Sequence, residues 1–169
     1  TGTLTVHADN LVADDIILGA TDADITLRGG NTAQTWNTSF DTLALSIAGT
    51  GNFTLADTDG LILTSVTTGG NASFSTTDAD LVLMDSPDVD GTLTLITTGN
   101  GDLVIPDAGL IHTGALALDV ARVRDSDSTL DLAATQLTAH LRNQQGATTW
   151  NTALDSLALT LAGGGHLTL

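Results

Sequence analysis

The 169-residue chain has no cysteine, tyrosine, glutamate or lysine, and only two prolines and one methionine. Without cysteine there is no disulfide framework and no thiolate for a zinc or iron–sulfur site. Absent glutamate and lysine are absent helix formers, whereas threonine, valine, isoleucine, asparagine, aspartate and glycine supply strands and turns. All 20 acidic residues are aspartate and all four basic residues are arginine, giving a net charge of −16. That balance excludes a nucleic-acid partner, whose phosphates need basic side chains to displace counterions, and disfavours anionic membranes. No apolar run approaches the ~20 residues of a membrane span, so no membrane insertion is expected. No signal peptide is visible either, which says little about export if the chain is a piece of a longer one.

What the chain does have is repetition. The stretch from Thr35-Trp36-Asn37-Thr38 to Leu55 matches the stretch from Thr149-Trp150-Asn151-Thr152 to Leu169 at 13 of 21 positions, 114 residues later. Thr1-Gly2-Thr3-Leu4 also matches Thr113-Gly114-Ala115-Leu116 more weakly. Residues 1–112 therefore read as one long repeat, and 113–169 as the first half of a second. Tandem copies build length or multiply a surface, and they are weighed before local motifs.

Inside the long repeat runs a finer rhythm of about ten residues. Alternating segments such as Asp24-Ile25-Thr26-Leu27, Asn52-Phe53-Thr54-Leu55, Asp80-Leu81-Val82-Leu83 and Thr92-Leu93-Thr94-Leu95 are separated by turns such as Thr68-Gly69-Gly70-Asn71. Alternation of apolar and small polar residues is the period of a half-buried strand. A β-sandwich would want longer strands and more large aromatics than two tryptophans and three phenylalanines. The spacing instead predicts an all-β parallel β-helix, or β-solenoid, with roughly 20 residues per coil and stacked aliphatic rows. One continuous solenoid would hold five to six coils per long repeat.

Segments such as Gly91-Thr92-Leu93-Thr94-Leu95-Ile96-Thr97-Thr98-Gly99-Asn100-Gly101-Asp102-Leu103-Val104-Ile105 resemble the repeats of filamentous-haemagglutinin-type adhesins, as does Gly51-Asn52-Phe53-Thr54-Leu55. The resemblance implies a right-handed parallel β-helix shaft, secreted or displayed at a bacterial cell surface, serving attachment or biofilm formation. Its partners would be neighbouring repeats of the same protein or fibre and host or matrix glycans.

Three features are candidate sites. Asn31 to Asp41 and Gln144 to Asp155 break the ten-residue rhythm, so each is expected to be a longer corner insertion carrying Trp36 or Trp150. The indole there either covers the shaft, stacks on a carbohydrate through its amphipathic ring, or makes a lateral contact between fibres. Aspartate-rich turns offer carboxylate oxygens to calcium, the best being Asp85-Ser86-Pro87-Asp88-Val89-Asp90, although a full calcium-loop motif is absent. Asp85, Asp88 and Asp90 are thus weak calcium ligands, and no other cofactor is implied. Catalysis finds little support: His7, His112, His140 and His166 are scattered, and Arg122 and Arg124 beside Asp125 and Asp127 form the nearest approach to a lyase-like cluster. Thr-x-Thr pairs such as Thr92-Leu93-Thr94 form no regular array for ice or crystal binding. The expected product is a non-enzymatic structural shaft, with carbohydrate binding through Trp36 and Trp150 as the alternative.

Overall fold

The computed structural model describes residues 2–9, 14–28, 34–106, 110–126 and 129–169. Among them there is no helix, and every strand pairing is parallel. The first strands are β1 (Thr3–Ala8), β2 (Asp14–Leu27), β3 (Gln34–Ile47), β4 (Phe53–Asp57) and β5 (Leu61–Thr68). There follow β6 (Ala72–Thr76), β7 (Leu81–Leu83), β8 (Asp88–Thr97), β9 (Leu103–Ile105) and β10 (Leu110–Val120). The last are β11 (Val123–Asp125), β12 (Thr129–Ala133), β13 (Gln136–Gln144), β14 (Ala147–Thr152), β15 (Ser156–Gly163) and β16 (His166–Thr168). They stack as a β-solenoid of about 7 turns with about 20 residues per turn.

Alternation in sequence becomes alternation in burial. In β4, Phe53, Leu55 and Asp57 are buried while Thr54 and Ala56 face outward. Pairing of successive turns aligns the inward residues into rows. One row runs Ile16, Trp36, Leu55, Phe74, Leu95, Leu118, Ala139 and Leu159. Another runs Ala23, Leu43, Leu63 and Leu83. Each fully buried leucine or phenylalanine contributes roughly 1.5–3 kcal/mol from removal of apolar surface from water. Leu157, Leu159 and Leu161 occupy inward rows yet are 43%, 37% and 37% exposed, since no described coil lies on them.

One corner of the central turns is set by glycine. A Cβ on Gly70 would lie 2.1 Å from the Gly51 carbonyl oxygen, and one on Gly91 2.6 Å from the Gly70 oxygen. Successive backbones approach too closely there for any side chain. Asn71 spans the same corner, its amide oxygen accepting from the Thr92 backbone N–H at 2.8 Å.

The tryptophan segments are strands. Trp36 sits within β3, paired with Ile16 below and Leu55 above, and Trp150 sits within β14, paired with Leu130. No extended corner carries either ring, although residues 31–33 at the start of the first expected insertion lie outside the described residues. In the first copy β3 passes from one face to the next as one continuous 14-residue strand, whereas in the second β14 ends at Thr152 before β15 begins.

The two copies of the repeated block also occupy different faces. The Trp36 row reaches Leu159, nine residues beyond Trp150, and Leu157 pairs with Leu137 in the neighbouring position. Its sequence counterpart Leu43 belongs instead to the row of Leu63 and Leu83. The reason is arithmetic, since 114 residues is not a whole number of turns.

Candidate functional site

Both indoles are fully buried, at 0% exposure. The Trp36 ring meets Phe53 edge-on, with centroids 5.4 Å apart at 64°, and Phe53 is tilted against Phe74 at 6.2 Å. A ring enclosed by neighbouring turns has no face open to a sugar, so the structure does not present Trp36 or Trp150 as an exposed stacking platform. Neither Nε1 has a hydrogen-bond partner. The indoles act as large apolar fillers of the core.

The aspartates of the proposed calcium turn are not brought together as a ligand set. Among the described residues, no group of three His, Cys, Asp or Glu side chains converges on a metal-sized position. Asp85 turns back to accept from the Ser86 backbone N–H at 2.8 Å, while Asp88 Oδ1 lies 2.6 Å from Nδ1 of His112 on the next turn. Asp90 lies on the outward side of β8.

The arginines form the most organised polar arrangement. Arg122 donates through Nε and Nη2 to the two carboxylate oxygens of Asp102, at 2.9 and 2.7 Å. Arg124 reaches Asp102 Oδ2 at 2.7 Å through Nε and Asp80 Oδ2 at 2.6 Å through Nη2. Asp80 in turn accepts from the Asp102 backbone N–H at 2.8 Å. Asp102 is only 1% exposed, and two guanidinium groups compensate its buried charge. Hydrogen bonding to Asp102 and its negative charge hold the Arg122 pKa above its ordinary value. Arg142 extends the pattern, donating to Asp119 Oδ1 at 2.5 Å and to the Thr97 carbonyl oxygen two turns away.

Sequence proximity had grouped Arg122 and Arg124 with Asp125 and Asp127. The structure pairs the arginines with aspartates of earlier turns, and Asp127 lies outside the described residues. Arg122, Arg124 and Arg142 therefore each staple turns together, with their charges matched by aspartates. The register that brings Asp80, Asp102 and Arg124 together has no signature in linear spacing.

Asp57 is a second buried carboxyl, on the inward side of β4. It accepts from Thr38 Oγ1 at 2.7 Å, from the Phe40 N–H at 2.8 Å and from the Asp59 N–H at 3.1 Å. Burial, reinforced by the neighbouring Asp59 carboxyl, pushes its pKa up to about 6 despite those three donors.

No family model, curated protein or solved structure matches the chain.

Proposed function

We propose that this chain is a shaft segment of a secreted or cell-surface bacterial adhesin or fibre, a stiff spacer for attachment or biofilm formation. The observation that supports the reading most is the unbroken inward row from Ile16 to Leu159, which runs through every turn. Stacked rows and parallel ladders make each turn's stability depend on its neighbours, so the solenoid resists bending and extends by adding turns. Cross-turn arginine staples reinforce the same axis. The resemblance of the Gly91–Ile105 segment to adhesin repeats supplies the cellular setting.

The shaft reading does not use the tryptophans as a glycan platform, because both rings are enclosed. Its partners are further repeats of the same fibre and whatever ligand the fibre presents. Immunogold labelling of intact producing cells tests the setting. Label on the cell exterior or on shed fibres is expected, and label confined to the cytoplasm of sectioned cells would overturn it.

A further inference from the structure

Two exposed asparagines on successive turns share a tripeptide pattern. Asn52-Phe53-Thr54 and Asn71-Ala72-Ser73 both read Asn-x-Ser/Thr without proline, the pattern at which sugars are joined to asparagine. Each asparagine stands at a corner, one residue before β4 or β6, and is exposed. Residues two apart in extended chain share a side, so Thr54 and Ser73 turn outward beside the carboxamides. Asn37-Thr38-Ser39 has the same pattern, but Asn37 is half-buried in mid-strand, paired on its two sides with Ile17 and Ala56.

Stacking assigns the atoms of both carboxamides. Asn52 Oδ1 accepts from the Asn71 N–H at 3.1 Å, and Asn71 Oδ1 accepts from the Thr92 N–H at 2.8 Å. The oxygens are thereby held on the next turn, and neither Nδ2 has a protein acceptor among the described residues. The hydroxyls of Thr54 and Ser73 have no protein partner there either. Corner stacking therefore accounts for the amide oxygens, and not for the nitrogens or the hydroxyls. The outward positions Thr54, Ala56, Ser73 and Ser75 carry no charge, although the chain carries −16. A phosphate-bearing sugar donor meets less repulsion at them than beside the aspartates. The second copy of the repeated block lacks the pattern at both places. His166 stands where Asn52 does, and Asn151-Thr152-Ala153 replaces Asn37-Thr38-Ser39, with Asn151 Nδ2 committed to Asp131 at 2.8 Å.

We propose that Asn52 and Asn71 are acceptors for N-linked glycosylation, taking sugar from a glycosyl diphosphate donor through a transferase. The Nδ2 nitrogen attacks the anomeric carbon, and the bond from that carbon to the diphosphate oxygen breaks. Diphosphate leaves with the electron pair, and the proton shed by Nδ2 passes to a base of the transferase. The new bond leaves the amide carbonyl intact, so Oδ1 keeps its hydrogen bond to the next turn and the corner keeps its geometry. Neighbouring turns stand about 4.8 Å apart, so a sugar on one asparagine crowds the other. The inference goes beyond the shaft reading and does not rest on it.

Tandem mass spectrometry of peptides from the protein purified from its producing cells tests this. Sugar mass is expected on Asn52, on Asn71 or on both. A series of single-sugar additions identifies a nucleotide-linked donor, and one defined oligosaccharide a lipid-linked donor. Thr54→Ala, made in the same cells, should abolish the glycan at Asn52, and Ser73→Ala that at Asn71, whereas Thr54→Ser should retain it. Both alanine variants keep the asparagines and their hydrogen bonds to the next turn. Protein in which neither asparagine carries sugar would overturn the inference. So would sugars confined to serine and threonine hydroxyls, or occupancy unchanged in folded Thr54→Ala and Ser73→Ala protein.

Discussion

Trp36 has no exposed surface, yet the sequence alone left its ring free to be either filler or platform. An indole is amphipathic, and its side of the strand depends on register, which linear spacing does not reveal. Trp36→Ala should remove the edge-on contact with Phe53 and leave a cavity, lowering stability by about 3–5 kcal/mol in chemical denaturation. A loss below about 1 kcal/mol would contradict the burial. Asp57 gives a pH signature at the same scale. Its folded pKa, about 6, lies above its ordinary value of 3.8. The folded state therefore binds the proton more tightly than the unfolded state. The stability it contributes is fully present below about pH 4 and is lost as pH rises through 6. Stability curves of the wild type and Asp57→Asn should accordingly diverge in slope between pH 4 and 6 and run parallel above 7. Identical slopes throughout would contradict a buried carboxyl with a raised pKa.

At the scale of strands and corners, most of the fold was legible. Asn52-Phe53-Thr54-Leu55 and Asp80-Leu81-Val82-Leu83 read as half-buried strands, and they form β4 and β7 with the inner residues that alternation assigns. The Gly69-Gly70-Asn71 turn read as a corner, but its physical demand emerged only from the stacking. Gly70→Ala should be strongly destabilising, because its Cβ would collide with the Gly51 carbonyl oxygen at 2.1 Å. Gly164→Ala, with nothing within 4 Å of the added carbon, should leave the melting temperature nearly unchanged. Equal effects at the two sites would contradict the corner geometry. The arginine staples were not legible, since Arg124 and Asp80 lie 44 residues apart. Asp102→Ala leaves Arg122 and Arg124 without their shared carboxylate. It should cost about 1–3 kcal/mol, the range for hydrogen bonds to charged groups, moderated by the half-exposed Arg124.

For the whole molecule, the repeat of 114 residues and the turn of about 20 are separate periods. Turns here advance by 19 to 24 residues between paired positions, because bulges and corners of different length intervene. A sequence copy therefore need not return to the same face, and Trp36 and Trp150 do not. The same environment recurs on each face, aliphatic inside and small polar outside, so one block can serve in either place. What remains constant along the molecule is the stacking of one turn on the next. Thr35, Thr54, Ser73, Thr94, Ala117, Thr138 and Ala158 form one outward column, each paired with its neighbours. Because the chain lacks cysteine, pairs of spin labels can be placed on that column without background. With Thr35 labelled as the fixed point, distances to labels at Ala117, Thr138 and Ala158 should rise by about 4.8 Å per turn, to roughly 29 Å at Ala158. Distances that do not increase in that order would contradict the parallel solenoid.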